Sequence, residues 1–438
     1  MQDNDFQTMP YRPRQPLQER RAWLATLFSA CLLCSLGGLI WWSQLCAALG
    51  MVRATTLHGA SSLTAPLQQD QPALPGVPGV PGQMRAVWIA TISNIDWPEH
   101  SGLSSAEQQR EFRQQLDEAL ALHFNTVIVQ VRPSTDAFYP SRYAPWSQYL
   151  TGVQGRAPGY DPLAFMLSEA HRRHLALHAW FNPYRVSVQG NLSALASTNP
   201  ARLHPDWVVH YGGRLYFDPG LPAVRKLVTQ SILEVVQRYA VDGVQLDDYF
   251  YPYPVAGQGF PDAASYRRYG AAKFPLLADW RRDNINQLIT GLSQGIKTLR
   301  PSVQFGISPF GVWRNQADDP TGSATHAGVT DYDTLYADTR SWIRHNWIDY
   351  IAPQLYWSIG YRPAAYNILL PWWVKEVAGS HVRLYIGQSA HNITLWHDPQ
   401  ELRHQLQLNQ QYAQVAGSIF FSMKYVLHNA QYFRNLWP

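Results

Sequence analysis

Asp242-Gly-Val-Gln-Leu-Asp247-Asp248-Tyr-Phe-Tyr-Pro252 sets two carboxyl groups side by side where a short apolar run ends. Neighbouring carboxyls in one environment can split roles, one ionised and one kept protonated, and that division serves proton transfer and nucleophilic attack on a glycosidic bond. Side chains alternate along a strand. Gln245 and Asp247 therefore share a face, and Leu246 takes the other. If Leu246 faces a helix layer, Asp247 faces the interior of the sheet. A purely structural alternative has Asp248 capping the following turn and Asp242 anchoring the strand entry.

The elements that would position these groups repeat along the chain. Apolar runs at 85–91, 125–132, 175–181, 242–247, 303–308, 350–355, 383–387 and 417–421 read as eight strands. Helical patterns separate them, over 105–122, 162–173, 222–239, 276–299, 333–344, 363–377 and 399–415. Eight strands alternating with helices within residues 84–438 predict an α/β fold, a (β/α)8 TIM barrel. A doubly wound open sheet is the competing topology, but no Gly-rich phosphate loop follows any strand.

In such a barrel the chemistry gathers at the C-terminal ends of the strands. The first strand ends near Asn94, Asp96 and Trp97, and the second near Arg132 and Asp136. The third supplies Trp180, Asn182, Tyr184 and Arg185; the fourth Asp247, Asp248, Tyr249 and Tyr251. Ser308 and Trp313 follow the fifth, Gln354 and Trp357 the sixth, and Gln388 and His391 the seventh. Carboxylates, amides and indoles converging from separate elements predict a polar cleft with aromatic walls, the surface that a sugar needs. Trp88 lies mid-strand and reads as core.

Other chemistries find less support. His171 and His174 sit on a helix, on the wrong side of the sheet for a site, and no His-x-His ends the first strand, so no metal site is expected. No serine stands in a Gly-x-Ser-x-Gly elbow. Acid/base glycoside hydrolysis requires no cofactor, and none is signalled. Arg132 and Asp136 could contact substrate or simply brace their loop.

Composition narrows the partners. Charged residues make up 15% of the 438 residues and hydrophobic types 46%, against a usual charged share of about 25%. The 17 Trp, 24 Tyr and 16 Phe make the chain rich in aromatics. Net charge is +4, and five of the 35 basic residues precede Met84. That near balance lacks the footprint of a nucleic-acid binder.

Residues 1–21 read as a cytoplasmic segment and 22–52 as a transmembrane anchor or signal segment. Ala22 to Val52 carries no formal charge and follows Arg20 and Arg21, a pattern that holds the N-terminus in the cytoplasm and exports the bulk of the chain. Cys31, Cys34 and Cys46 all fall in this run, so the exported domain has no disulfide and no thiol nucleophile. Residues 53–83, with Pro72, Pro75, Pro78 and Pro81, read as a semi-extended tether.

The motifs Met84-Arg-Ala-Val-Trp-Ile-Ala-Thr91, Asn94-Ile-Asp-Trp-Pro98, Phe217-Asp-Pro-Gly220, the Asp242–Pro252 segment and Gly306-Ile-Ser-Pro-Phe-Gly-Val-Trp-Arg314 together resemble the glycosyl-hydrolase-like 10 family over about residues 84–430. The resemblance implies an exported barrel hydrolase, often membrane-tethered, with members acting on bacterial cell-wall glycan strands. It places the family's central acidic motif at Asp247 and Asp248. The register Gly-Val-Gln-Leu-Asp247 is also similar to the α-amylase segment whose Asp is the nucleophile. The chitinase pattern fits at Asp242, Gly243 and Asp247, but Gln245 and Tyr249 replace two of its carboxylates.

The sequence thus predicts a glycosidase on peptidoglycan glycan, with Asp247 as nucleophile or base and Asp248 or Asp136 as proton donor. Retention needs carboxyls about 5 Å apart and inversion roughly 6.5–9.5 Å, and Asp136, across the barrel mouth, is the expected partner on that ground. The alternative is a tethered glycan-binding barrel without catalysis.

Overall fold

The computed structural model describes residues 83–437, so the cytoplasmic, anchor and tether assignments fall outside the described residues. Among the described residues no helix is long and apolar enough to cross a membrane.

The described residues form eleven strands: β1 Met84–Ile89, β2 Thr126–Arg132, β3 Ala176–Phe181, β4 Arg185–Ser187, β5 Val208–Tyr211, β6 Arg214–Phe217, β7 Gly243–Leu246, β8 Gln304–Ile307, β9 Tyr350–Ile351, β10 Arg383–Ser389 and β11 Val415–Phe421. Eight of them close into a parallel barrel in the order β1-β11-β10-β9-β8-β7-β3-β2. These are the eight strands that the apolar runs predict, and the (β/α)8 barrel holds. The other three form a small antiparallel sheet, β4-β6-β5, in the connection after β3. Periodicity gives no warning of it, because strands of three or four residues hold no full alternation.

Alternation along each strand builds two apolar layers. Val87, Ile89, Val127, Val129, Leu246 and Ile307 belong to the layer beneath the helices. Ala86, Trp88, Ile128, Trp180, Tyr350, Tyr385 and Ile419 fill the barrel axis. Leu246 therefore faces the helices, as expected, and its neighbours Gln245 and Asp247 face inward.

A polar chain runs through that interior. His178 Nδ1 lies 3.0 Å from the Tyr350 hydroxyl, which donates to Gln245 Oε1 at 3.2 Å, and Gln245 Nε2 donates to Ser308 Oγ at 3.0 Å. Burial pushes the His178 imidazole down to a pKa of about 4, so it is neutral at physiological pH. Two glycines make room for the chain's bulky members. A Cβ on Gly243 would meet the His178 ring at 2.5 Å, and one on Gly306 would overlap the Tyr350 ring.

Helix positions follow the pattern with two shortenings. The helix expected over 333–344 begins only at Thr339, where Asp338 accepts from the Ser341 amide as N-cap. The helix expected over 399–415 ends at Asn409, and the chain turns from there into β11. Helices Pro162–His171 and Pro222–Arg238 open on proline at the first turn.

Asp242 and Asp96 act as fasteners. Asp242 Oδ2 accepts from the Leu177 amide at 2.7 Å and lies 2.9 Å from His171 Nε2, so it anchors the entry of β7, and His171 is accounted for without a metal. Asp96 Oδ2 accepts from the Ala90 amide at 2.6 Å, while its Oδ1 accepts from Ser422 Oγ and the Lys424 amide at 2.7 Å each. It thereby ties the end of β1 to the end of β11, across the seam where the barrel closes.

Gly306→Ala should force Tyr350 off its interior rotamer and cost about 2 kcal/mol or more of unfolding free energy. Denaturant titration checks this; an unchanged midpoint would show that the axis is loosely packed.

Candidate active site

Asp247 follows directly on β7, so its direction is set by the barrel register. Its Oδ2 accepts two hydrogen bonds, from Trp180 Nε1 and Asn182 Nδ2, both at 3.0 Å. Its Oδ1 accepts only a longer bond from the Tyr249 amide, 3.2 Å. Burial leaves the residue 4% exposed. Desolvation, then the charge of Asp248, raises its pKa to about 7, against the opposing pull of the Arg185 guanidinium and the Trp180 indole.

Asp248 is equally buried, and it too turns into the mouth of the barrel. It accepts from the Tyr253 hydroxyl in a short hydrogen bond on Oδ2, and from Gln354 Nε2 at 3.1 Å on Oδ1. Gln354 also donates to the Ser308 carbonyl at 2.9 Å, which links the loops after β8 and β9 to the carboxylate. Burial raises Asp248 as well, opposed by the Tyr253 and Gln354 donors.

Aromatic groups wall this pair. Tyr253 packs on Phe310 with ring centroids 6.0 Å apart, and Phe310 packs on Trp357 at 5.3 Å. On another side Tyr356, Phe421 and His391 lie within 6.1 Å of one another, centroid to centroid. The Arg185 guanidinium covers the Tyr249 ring at 4.4 Å. A cleft of carboxyls, amides and ring faces suits a sugar, whose hydroxyls take hydrogen bonds and whose C–H faces take rings.

The structure thus brings together Asp247, Asp248, Trp180, Asn182, Arg185, Tyr249, Ser308, Gln354, Trp357 and His391 from the sequence-based set. Others lie elsewhere. Trp97 is fully buried against Phe112 and Phe138, and its indole donates to the Gln108 carbonyl at 2.9 Å. Tyr184 and Tyr251 join the same layer under the helices, and so does Trp313, which stacks on Trp372 with Arg340 over its ring. A large aromatic just past a strand end can fold outward as easily as inward, and these four do. Asn94 ties its own loop, donating to the Pro98 and Tyr149 carbonyls, and Asp96 is the seam fastener already described.

Asp136 contacts neither central aspartate. Its carboxyl accepts from Gln154 Nε2 at 3.3 Å and from Ser147, inside the loop after β2. Arg132, fully buried nearby, gives its Nη1 to the Asn182 carbonyl at a long 3.5 Å, and its Nε and Nη2 have no partner. Asp136 is held inside the second loop, and neither residue hydrogen-bonds Asp247 or Asp248.

Four neighbours of the pair escape sequence reasoning. Tyr253 lies in a loop with no strand to fix its direction. Tyr356 stands one residue before Trp357, and Phe421 ends its strand as an apolar ring that reads as core. Asp331 sits deep in the long connection after β8, fully buried, and burial reinforced by the Asp248 charge holds its carboxyl well above the usual range. Its distance along the chain from any strand end hides it. Among the described residues no cluster of His, Cys, Asp and Glu could hold a metal ion.

Comparison with known proteins gives the family. The glycosyl hydrolase-like 10 family model matches residues 83–402. The chain is 56% identical over 348 residues to Glycosyl hydrolase YngK of Bacillus subtilis (strain 168), an alignment covering 78% of this chain and 68% of that protein. It is 43% identical over 372 residues to Glycosyl hydrolase DigH of Escherichia coli (strain K12), covering 78% and 83% respectively. The PgaB (BpsB) glycoside hydrolase domain from Bordetella bronchiseptica superposes with a TM-score of 0.53 at 16% identity, covering 81% of this chain and 99% of that domain, a likeness of fold. By the family match and these relatives, the chain belongs to the glycosyl hydrolase-like 10 family.

Proposed function

We propose that this chain is an exported, membrane-tethered glycoside hydrolase that cuts the glycan strands of peptidoglycan, using Asp247 and Asp248. The observation that carries the reading is the buried carboxyl pair at the C-terminal mouth of the barrel, held by donors from the ends of β3, β7 and β9. The polymer and the export rest on the resemblance of the sequence motifs and on the uncharged run after Arg21.

The protonation pattern assigns roles. Two carboxyls this close titrate as a pair. Burial raises both, and the charge of Asp248 is among the causes that raise Asp247; we assign the shared proton to Asp247 on that ground. Because Asp247 Oδ2 already accepts two N–H bonds, the proton sits on Oδ1. Asp247 is then the acid that protonates the leaving oxygen, and Asp248 the carboxylate that meets the anomeric carbon or its water. This reverses the roles expected from sequence alone, and it replaces Asp136 as the second group.

Asp247→Asn should lower release of soluble fragments from glycan strands about 10²–10⁴-fold, with products read by mass spectrometry. Retained release would remove Asp247 from the chemistry, and absence of release by the unaltered chain, with binding intact, would favour the non-catalytic barrel. On an aryl glycoside whose leaving group needs no acid, Asp247→Asn should lose far less than Asp248→Asn. The opposite order would restore the roles read from sequence.

The same proton sets the pH dependence. Turnover should fall above pH about 7, as Asp247 loses its proton. Stability follows the sign of the shift. An unfolded Asp titrates near pH ~3.9, so over the range from there to about 7 the folded state binds more protons than the unfolded one. Folding stability is therefore full below that range and declines through it as pH rises. Asp96 and Asp218, each pushed up to about 6 by burial, act in the same direction. The melting temperature should drop between pH 4 and 8, less steeply in Asp247→Asn; a parallel slope would show that Asp247 is ionised throughout.

A further inference from the structure

A second concave surface lies apart from the aspartates. A groove of about 490 Å³ opens between the loop after β2 and the segment that precedes β5, within the size range of ligand sites. Its walls include Tyr143, Trp146, His204 and Trp207. None of the residues that hydrogen-bond the two aspartates lines it.

The groove is rigidly built. Tyr139 donates to the Ser231 carbonyl at 3.2 Å, Ser141 Oγ donates to Glu234 Oε2 at 2.6 Å, and the Arg142 amide donates to Glu234 Oε1 at 3.0 Å. Arg238 reaches the Pro140 carbonyl in a further short bond. Ser231, Glu234 and Arg238 all belong to the helix Pro222–Arg238, so four hydrogen bonds clamp the loop to it.

Its open face carries groups whose polar ends find no partner in the fold. The exposed His204 ring lies flat on the Trp207 indole, with centroids 3.9 Å apart and an interplanar angle of 8°. Neither the Trp146 nor the Trp207 indole N–H has a protein partner among the described residues, and the exposed Arg142 guanidinium pairs with no carboxylate there. Next to them Leu203 is 62% exposed. A flat ring platform beside free N–H donors matches a pyranose, which offers an apolar C–H face and a rim of hydroxyl acceptors. A rigid groove also loses little entropy when it is filled.

We propose that this groove is a second, non-catalytic binding site for the polysaccharide, which holds one stretch of the strand while the cleft at Asp247 and Asp248 works on another. The proposal rests on the hydrolase reading above for the identity of the polymer. It gives the chain two contacts on one strand, so affinity for a long polymer exceeds that for a fragment too short to reach both.

The test uses the full chain carrying Asp247→Asn, with insoluble peptidoglycan as the probe in a sedimentation titration. Adding His204→Ala or Arg142→Ala, both at exposed positions, should weaken sedimentation about tenfold. The same changes in the unaltered chain should leave turnover of a soluble glycan dimer or trimer unchanged. Trp207→Phe, which keeps a ring but removes the indole N–H and narrows the platform, should give a smaller loss than His204→Ala. Undiminished sedimentation of the His204 and Arg142 variants would overturn the site, as would an equal loss of short-oligomer turnover. No sedimentation by the parent chain would overturn it as well. The hydrolase reading is judged separately, by turnover of the short oligomer with and without Asp247.

Discussion

Two carboxyl groups on consecutive residues, taken almost wholly out of water, are the costliest arrangement in this molecule. One ionised carboxylate in an apolar interior is already unfavourable, and a second beside it adds direct repulsion. The pair persists because it keeps one proton and because five donors reach it: the Trp180 indole, the Asn182 amide, the Tyr249 peptide, the Tyr253 hydroxyl and the Gln354 amide. These come from the ends of β3, β7 and β9 or the loops behind them. Each must arrive at hydrogen-bond distance, so the positions of these three βα loops around the mouth are tied to the pair.

The barrel supplies that precision from below. Glycines at 243 and 306 let the His178 and Tyr350 rings into the axis, and the chain His178–Tyr350–Gln245–Ser308 crosses β3, β9, β7 and the end of β8. Gln245 is two residues from Asp247 on the same face, so the network that fills the interior also fixes the height and rotation of the acidic segment. Asp96 does comparable work at the seam. By joining β1 to the start of the helix after β11, it keeps the circle closed beside Phe421, which walls the cleft.

Legibility in the sequence followed the reach of local geometry. Strand register made Asp247 readable, since Leu246 had to face the helices and its neighbour could not. Trp180 and Asn182 were readable for the same reason, one residue before and one residue beyond the end of β3. Past the strand end the period-2 rule lapses, and there the reading divided. Trp97, Tyr184, Tyr251 and Trp313 turn back under the helices, where burying an indole or phenol ring against neighbouring rings outweighs a place on the rim. Tyr253 and Asp331 turn inward from irregular loops whose paths depend on tertiary packing. Asp136 shows the limit most clearly. It stands at a strand end with the right chemistry, yet Gln154, brought back by its own loop, takes its carboxyl.

Asp331 sharpens the electrostatic argument. A fully buried carboxyl close enough to feel Asp248 would add a third charge to the pair if it ionised, and neither of its oxygens has a hydrogen-bond partner among the described residues. Burial and the Asp248 charge hold that carboxyl well above the usual range, while the Tyr253 hydroxyl donates to Asp248. In the hydrolase reading the negative charge falls on Asp248, which has the Tyr253 and Gln354 donors. A site that concentrates its charge on one oxygen pair, with an acid next to it, suits a positively charged transition state. The ordering of protons among Asp247, Asp248 and Asp331 is in this sense a property of the empty fold. Burial and the charge of Asp248 raise both Asp247 and Asp331.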